Sequence, residues 1–377
     1  MSDDDFDAPV ERAGTWSTRW DRHPGGEVIP LWVADTDFRV PAVVRRALAE
    51  RVQHGVLGYT APPSALRQAI VERLARLYAW RVEPEWIVFI AGVVPGLHLA
   101  VRSLTDSDDH VLSPTPVYHH LTRAPQHATR PRTDVPLVLD RDRWVFDAVR
   151  LRKAVTPRTR MLFLCNPQNP GGTVFTRTEL EAIAAATGDA LIVSDEIHCD
   201  VLLEPGCRHV PMASLAPEIS RRTVTLMSPN KAFNFPAAGC AWAVIEDPAL
   251  RRRFCADLEA HVLPGASVFG YVAALAALRE GELWLRAQCE YLRANRALVE
   301  RELAPLRSGR TEATYLAWLD CSGLGVRDPW RHFLDHGVAL SPGTQFGSPS
   351  FVRLNFGTQR ARLQEALQRM ARAISRS

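Results

Sequence analysis

The sequence predicts an α/β protein whose main sheet is mostly parallel and buried on both faces. Short apolar runs recur between residues 86 and 246, without the alternation typical of a half-exposed strand. Helix-like stretches separate the runs, which indicates strand–helix–strand units. The predicted strands are WIVFIAG (86–92), HVLSPTP (110–116), RMLFLCNP (160–167), ALIVSDE (190–196), TVTLMSP (223–229) and CAWAVIE (240–246).

One intervening helix has a clear start signal. Thr178 and Glu181 have the spacing of a capping box, and the apolar stretch LEAIAAA overlaps them. We therefore expect Thr178 to cap this helix.

Two domains are expected, because the pattern changes near residue 265 and 377 residues suffice for about two domains. Long helical segments follow that point, then short strands around YLAWLD and FVRLNF, then a closing helix. The first 45 residues have too little periodic structure to stand alone. The predicted division is a large domain over residues 46–264 and a smaller α+β domain from residues 1–45 plus 265–377.

The composition indicates an ordinary globular enzyme or binding protein. Hydrophobic residues make up 46% of the chain and charged residues 23%, which excludes disordered and fibrous classes. The 45 basic residues are dispersed and balanced by 42 acidic ones, so no nucleic-acid partner is expected. The acidic first dozen residues and the lack of a long apolar run predict a cytoplasmic protein without membrane contact.

Metal and disulfide sites are not expected. The seven cysteines are odd in number and include no CxxC pair, so they are interpreted as buried small apolar residues. Asp35 and Asp37 form only a lone DxD pair, which is too weak a pattern for a metal site.

Only two of the basic residues are lysines, Lys153 and Lys231. Lys153 lies among arginines in LRKAVTPRTR and is predicted to be a solvated helix residue. Lys231 instead follows a predicted strand. Chemistry that needs a side-chain primary amine therefore points to Lys231.

Chemically useful groups follow the ends of five predicted strands. In open α/β sheets, ligands bind just beyond the carboxyl ends of the strands. The groups are Gly92, Val93 and Val94 ahead of a predicted helix, Tyr118, Asn169, Asp195 with His198, and Ser228 with Lys231.

This set is what a pyridoxal 5′-phosphate (PLP) site requires. Lys231 can form a Schiff base with the cofactor aldehyde, and Asp195 can keep the pyridine nitrogen protonated. The resulting ring can accept electrons from a substrate carbon. Both residues are therefore candidate catalytic groups.

The remaining groups can hold the cofactor. The backbone amides of Gly92–Val94 and the Ser228 hydroxyl suit its phosphate, since helix N-termini favour anions. Tyr118 can stack on the ring and is the third candidate catalytic residue. Asn169 and His198 can form hydrogen bonds with the phenolic oxygen of the ring.

Nine motifs in order along nearly the whole chain resemble fold-type I PLP-dependent enzymes of the aminotransferase class I/II superfamily. Within it the chain is similar to the MalY/PatB-type cystathionine β-lyase, or C–S lyase, subgroup. The motifs are LWVADTDF (31–38), GVLGYT (55–60), AGVVPGL (91–97), PTPVYHH (114–120), NPQNPGGTVFT (166–176), SDEIHCD (194–200), SPNKAFN (228–234), SPGTQFG (341–347) and FVRLNFG (351–357).

The resemblance implies a mostly parallel seven-stranded sheet and a homodimer with shared active sites. It assigns Arg353 to the substrate α-carboxylate, with Trp32 and Ala34 nearby, and Tyr59 to the phosphate of the neighbouring subunit. It also makes Lys231 the Schiff-base lysine. His198 favours the lyase subgroup, because ordinary aminotransferases usually have Tyr at that position.

The expected function is therefore β-elimination from an L-cysteine S-conjugate to thiol, pyruvate and ammonia. An aminotransferase that acts on an L-amino acid and a 2-oxo acid is the alternative, because it would use the same groups. A regulatory binding role on the same fold is a third hypothesis. Such a role alone would not require Lys231, Asp195 and Arg353 together.

Overall fold

A seven-stranded sheet forms the centre of the structure, a computed structural model that describes residues 5–261 and 263–375. The order across the sheet is β2–β10–β9–β8–β7–β3–β4. Strands in this described part are β1 (Ile29–Pro30), β2 (Ile87–Ile90), β3 (His110–Thr115), β4 (Arg132–Pro136), β5 (Val138–Asp140), β6 (Arg143–Val145), β7 (Thr159–Cys165), β8 (Leu191–Asp195), β9 (Thr223–Met227), β10 (Ala241–Ile245), β11 (Arg307–Ser308), β12 (Leu316–Asp320), β13 (Val338–Ala339), β14 (Ser341–Pro342) and β15 (Phe351–Asn355).

The strand directions bring six carboxyl ends to one side of this sheet. Strands β9, β8, β7, β3 and β4 pair in parallel, whereas β10 is antiparallel to both β9 and β2. Because β10 is antiparallel to both of its neighbours, β2 runs in the same direction as β9. The six strands predicted from apolar runs are confirmed. The seventh, β4, was not predicted from such a run, because RTDVP at the sheet edge is mostly polar and partly exposed.

Helices cover the sheet and build the rest of the chain. The described helices are α1 (Ala42–Gln53), α2 (Ser64–Tyr78), α3 (Val93–Leu104), α4 (His120–His127), α5 (Ala148–Ala154), α6 (Arg177–Thr187), α7 (Pro217–Ser220), α8 (Pro248–Ala260), α9 (Val268–Glu280), α10 (Glu282–Glu302), α11 (Pro329–Asp335) and α12 (Arg360–Ile374). None of those described is both long and apolar enough to cross a bilayer.

The start of α6 corrects the predicted capping box. Thr176, not Thr178, is the N-cap: its hydroxyl accepts from the backbone N–H of Glu179 at 3.3 Å, and the Glu179 carboxylate accepts from the Thr176 N–H at 2.7 Å. The prediction was wrong by two residues because T-x-x-E occurs twice in TRTELE. Thr178 lies exposed within the first turn.

The N-terminal and C-terminal segments pack together. Strand β1 pairs in parallel with β13, and Ile29, Leu31 and Phe38 share an apolar core with residues of the four-stranded sheet β11–β12–β15–β14. Helix α1 packs against α9. Helix α1 spans the predicted boundary at 45/46, so the division into two domains stays a prediction.

Candidate active site

A cavity of about 400 Å³ lies beyond the carboxyl ends of β2, β3, β7, β8 and β9. The loop at residues 32–34 and the C-terminal strand β15 close its other side. Eleven of the thirteen predicted site residues line it: Trp32, Ala34, Gly92, Val93, Val94, Tyr118, Asn169, Asp195, His198, Lys231 and Arg353. Ser228 and Tyr59 do not.

Lys231 follows β9 on a short turn and points across the cavity. Its Nζ donates a 2.6 Å hydrogen bond to the carbonyl oxygen of Ala34. Burial, together with the nearby charge of Arg353, lowers the pKa of Lys231 to about 8 against the opposing charges of Asp35 and Asp195. A larger fraction of this amine is therefore neutral near pH 7 than for an exposed lysine.

Ser228 lies beneath this turn rather than in the cavity. Its hydroxyl donates to the carbonyl oxygen of Cys240 at 2.6 Å and accepts from the backbone N–H of Asn230 at 3.1 Å. In this geometry the hydroxyl holds the turn that carries Lys231. The predicted contact of this hydroxyl with a phosphate stays a prediction.

Asp195 ends β8 and turns its carboxylate toward the cavity. It accepts the backbone N–H of Ile197 at 3.2 Å, and burial raises its pKa to about 7 against the opposing effects of that bond and of Lys231. The adjacent Glu196 is committed elsewhere, since it accepts from Ser194 and contacts Nε2 of His209 at 2.7 Å. Asp195 is thus the carboxylate available to a ligand in this cavity.

Arg353 is a buried cation without a carboxylate partner among the described residues. Its Nη1 donates to Oδ1 of Asn169 at 3.0 Å, and its Nη2 donates to the carbonyl of Trp32 at 2.9 Å and to the Ser341 hydroxyl at 3.2 Å. Burial lowers its pKa to about 10. A substrate carboxylate would supply the missing negative charge.

Helix α3 begins at Val93, two residues earlier than expected, with Gly92 as its N-cap. No side chain caps this end, so the amides of its first turn are free of side-chain partners. They lie at the cavity wall with Gly92, Val93 and Val94. The site therefore offers backbone N–H groups to a phosphate.

The residues present fit PLP. Nδ1 of His198 is a buried nitrogen without a hydrogen-bond partner in the described structure, and this side chain lines the cavity. A polar ligand atom would satisfy it. In the same cavity, Tyr118 provides a ring, Asp195 an acceptor and Lys231 an amine. Each is a group that the cofactor needs.

Several lining residues were not predicted. Thr18, Ser341 and Gln345 line the cavity and lie outside the strand-end pattern, and His119, which directly follows Tyr118, lines it as well. Tyr315 was also missed, although its hydroxyl donates to the carbonyl of Ala34 at 3.0 Å, beside Lys231. The strand-end rule does not mark Thr18, Ser341, Gln345 or Tyr315, although Ser341 and Gln345 lie in the motif SPGTQFG (341–347).

The two residues considered for a metal are part of an ion-pair cluster. Asp35 contacts Nη2 of Arg12 at 2.7 Å, and the buried Asp37 contacts Nη1 of Arg12 at 2.9 Å and Nη2 of Arg19 at 3.3 Å. Within residues 5–261 and 263–375, no group of three His, Cys, Asp or Glu side chains is arranged to hold a metal. The cluster fixes the loop that bears Trp32 and Ala34.

Known proteins resemble this chain over nearly its whole length. PatB, a cystathionine β-lyase of Bacillus subtilis, is 34% identical over 98% of this chain and all of PatB. The crystal structure of OvoB superposes with a TM-score of 0.96 at 44% identity, covering 99% of this chain and all of OvoB. The PLP-bound C–S lyase of Staphylococcus hominis gives 0.91 at 30% identity, covering 98% of both chains.

A family model described as aminotransferase class I and II matches residues 27–370. This range includes all thirteen predicted site residues. The chain belongs to the aminotransferase class I and II family.

Proposed function

We propose that the protein is a PLP-dependent C–S β-lyase. Its substrate is an L-cysteine S-conjugate, and with one water it yields a thiol, pyruvate and ammonia. The observation that carries the proposal is that Lys231 and the unpaired Arg353 line one cavity. An amino-acid substrate needs both an amine-reactive centre and a carboxylate-binding group.

PLP is the cofactor, and the pocket has a group for each of its parts. Lys231 would hold its aldehyde carbon, Asp195 its ring nitrogen, and the start of α3 its phosphate. Tyr118 would stack on the ring, with Asn169 and His198 near its phenolic oxygen. When bound, PLP supplies an electron sink for the bond broken at the substrate Cα.

The protein's own side chains then orient the substrate and move its proton. Arg353 binds the α-carboxylate with two N–H groups and so fixes the direction of the Cα–H bond. Lys231 is released when the substrate amine takes its place, and its free amine, with a lowered pKa, would take the Cα proton as general base. The sulfur bond at Cβ breaks, and the thiolate leaves.

The decisive assay incubates the purified enzyme with cystathionine and other cysteine S-conjugates and no added keto acid. Release of thiol and pyruvate in equal amounts supports the lyase. Release of neither overturns the proposal. The PatB and S. hominis relatives, named as lyases, support the choice of reaction.

An aminotransferase is the second candidate, since the family carries that name and the same Lys231, Asp195 and Arg353 would serve. The two reactions share proton removal at Cα and differ in the step after it. A strict requirement for a 2-oxo acid acceptor, with conversion of that acid to an amino acid, would favour this candidate.

We infer that two chains form a dimer in which Tyr59 reaches the phosphate site of the partner. Tyr59 is fully exposed, and Val56 and Leu57 beside it are 64% and 54% exposed. An exposed apolar segment of this kind suits a subunit interface. Light scattering measures the mass directly, and a Tyr59→Phe variant tests the phosphate contact through its affinity for PLP.

The cellular location and the domain boundaries are also proposals. The cytoplasm is the proposed location, which the seven free cysteines, five of them buried, support. The two domains are proposed to meet at residues 45/46 and 264/265. Cell fractionation tests the first, and limited proteolysis tests the second.

A further inference from the structure

A second cavity, of about 750 Å³, lies beside the active-site cavity. Trp32 and Gln345 line both cavities and so form their common wall. We call the second cavity the side pocket; its other lining residues include Arg22, His23 and Arg327. A substrate held at Lys231 and extended over Trp32 would reach into it.

Two arginines give the side pocket an excess of positive charge. The Arg22 guanidinium lies 5.1 Å from the centre of the Trp32 ring, which fixes its position by a cation–π contact. Neither Arg22 nor Arg327 forms an ion pair with a carboxylate of the described residues. Both guanidinium groups are available to a ligand.

The other titratable groups of the side pocket do not cancel this charge. Asp328 is its carboxylate, and it accepts the backbone N–H of Arg331 at 3.1 Å as the N-cap of α11. Burial and the charge of Arg22 lower the pKa of His23, which disfavours its charged form. The pocket thus has two cations and one anion, and that anion already caps a helix. This balance favours an anionic ligand.

We propose that the side pocket is a second substrate subsite, which binds a carboxylate on the sulfur substituent of the substrate. The preferred substrates are then L-cysteine S-conjugates whose leaving thiol carries an acid. The chain between sulfur and acid lies over Trp32 and Gln345, and Arg22 and Arg327 bind the acid. This inference rests on the proposed lyase function.

The test compares acids with their matched amides. S-carboxymethyl-, S-(2-carboxyethyl)- and S-(3-carboxypropyl)-L-cysteine are assayed for thiol release beside the three corresponding carboxamides. Each amide has nearly the shape of its acid and lacks the charge. Because the arginines are partly solvated, we expect kcat/KM of the best acid to exceed that of its amide by about three- to tenfold at low ionic strength. Added salt should shrink this preference.

Variants assign the preference to the side pocket. In the double variant Arg22→Gln/Arg327→Gln the acid-to-amide ratio should fall to about one. Arg331→Gln is the matched control, because Arg331 lies four residues after Arg327, within α11, pairs with Asp335 at 2.9 Å and does not line the pocket. It should keep the ratio of the natural protein.

The possible failures are distinct. If no S-conjugate releases thiol, the lyase function itself is wrong. If acids and amides are cleaved equally at all three lengths, or the double variant keeps the preference, the lyase stands and the subsite proposal is overturned.

Discussion

Nζ of Lys231 donates a 2.6 Å hydrogen bond to the carbonyl oxygen of Ala34, a residue 197 positions earlier in the chain. The contact joins the turn after β9 to the loop that closes the cavity. Arg353 binds the same loop through the carbonyl of Trp32 at 2.9 Å. The amine and the carboxylate-binding group are thus positioned by one segment, although they come from different parts of the sequence.

Replacing Lys231 should abolish both cofactor attachment and turnover. Lys231→Ala removes the only lysine in the cavity, so we expect loss of the visible absorbance of the attached cofactor and at least about a 100-fold fall in kcat. Lys153→Ala is the matched control, because Lys153 is exposed on α5 and should leave both properties unchanged. Retained absorbance in Lys231→Ala protein would contradict the assignment.

Asp195 should make the stability of the cofactor-free protein depend on pH. Its pKa is about 7 in the folded protein against an ordinary 3.8, so between these values the folded state holds a proton that the unfolded chain releases. The free energy of unfolding therefore falls as pH rises through this range. Asp195→Asn replaces the carboxylate with a neutral amide, and so removes the free-energy cost of burying a charge.

We thus expect Asp195→Asn to raise the thermal midpoint relative to the natural protein, and more at about pH 8 than at about pH 5. Scanning calorimetry of both proteins without cofactor measures this difference. An equal shift at both pH values would show that Asp195 does not titrate as described. In the holoenzyme the same variant should lower kcat, since the ring nitrogen loses its acidic partner.

Arg353 should be specific for the shape of a carboxylate as well as its charge. Arg353→Lys keeps the charge and loses the planar pair of N–H donors, so kcat/KM for a cysteine S-conjugate should fall at least about thirtyfold. The cofactor absorbance should stay, because Arg353 is not assigned to PLP. Unchanged kcat/KM would place the substrate carboxylate elsewhere.

The corrected helix cap can be tested by a pair of threonine variants. Thr176→Ala removes the N-cap of α6 and should lower the free energy of unfolding by about 0.5–2 kcal/mol. Thr178→Ala changes an exposed first-turn residue and should change it by less than about 0.5 kcal/mol. Urea unfolding of both variants measures the difference. The opposite ranking would restore the cap first predicted from the sequence.

Most of the central sheet could be predicted, because buried parallel strands are continuous apolar runs. Strand β4 escaped, since an edge strand such as RTDVP needs little apolar surface. The capping box was displaced because spacing alone does not distinguish two overlapping copies of one motif. Only the backbone geometry at Thr176 decides between them.

The site was predictable where its groups follow strand ends, and less so elsewhere. Lys231, Asp195, Asn169 and Tyr118 fall within that rule and line the cavity. Ser228 also follows a strand, but its hydroxyl donates to the Cys240 carbonyl. That bond depends on where the neighbouring strand lies, which the local sequence does not reveal. Gln345 and the side pocket depend on how distant loops pack, which local patterns do not reveal.

The cavity around Lys231 is proposed to break the C–S bond of a cysteine S-conjugate. The most direct measurement follows thiol and pyruvate together, with purified enzyme, PLP and cystathionine, first without and then with a 2-oxo acid. We predict equal release of thiol and pyruvate without the acid and no dependence on it. Turnover only in the presence of the acid, with its conversion to an amino acid and no thiol released, would contradict the lyase.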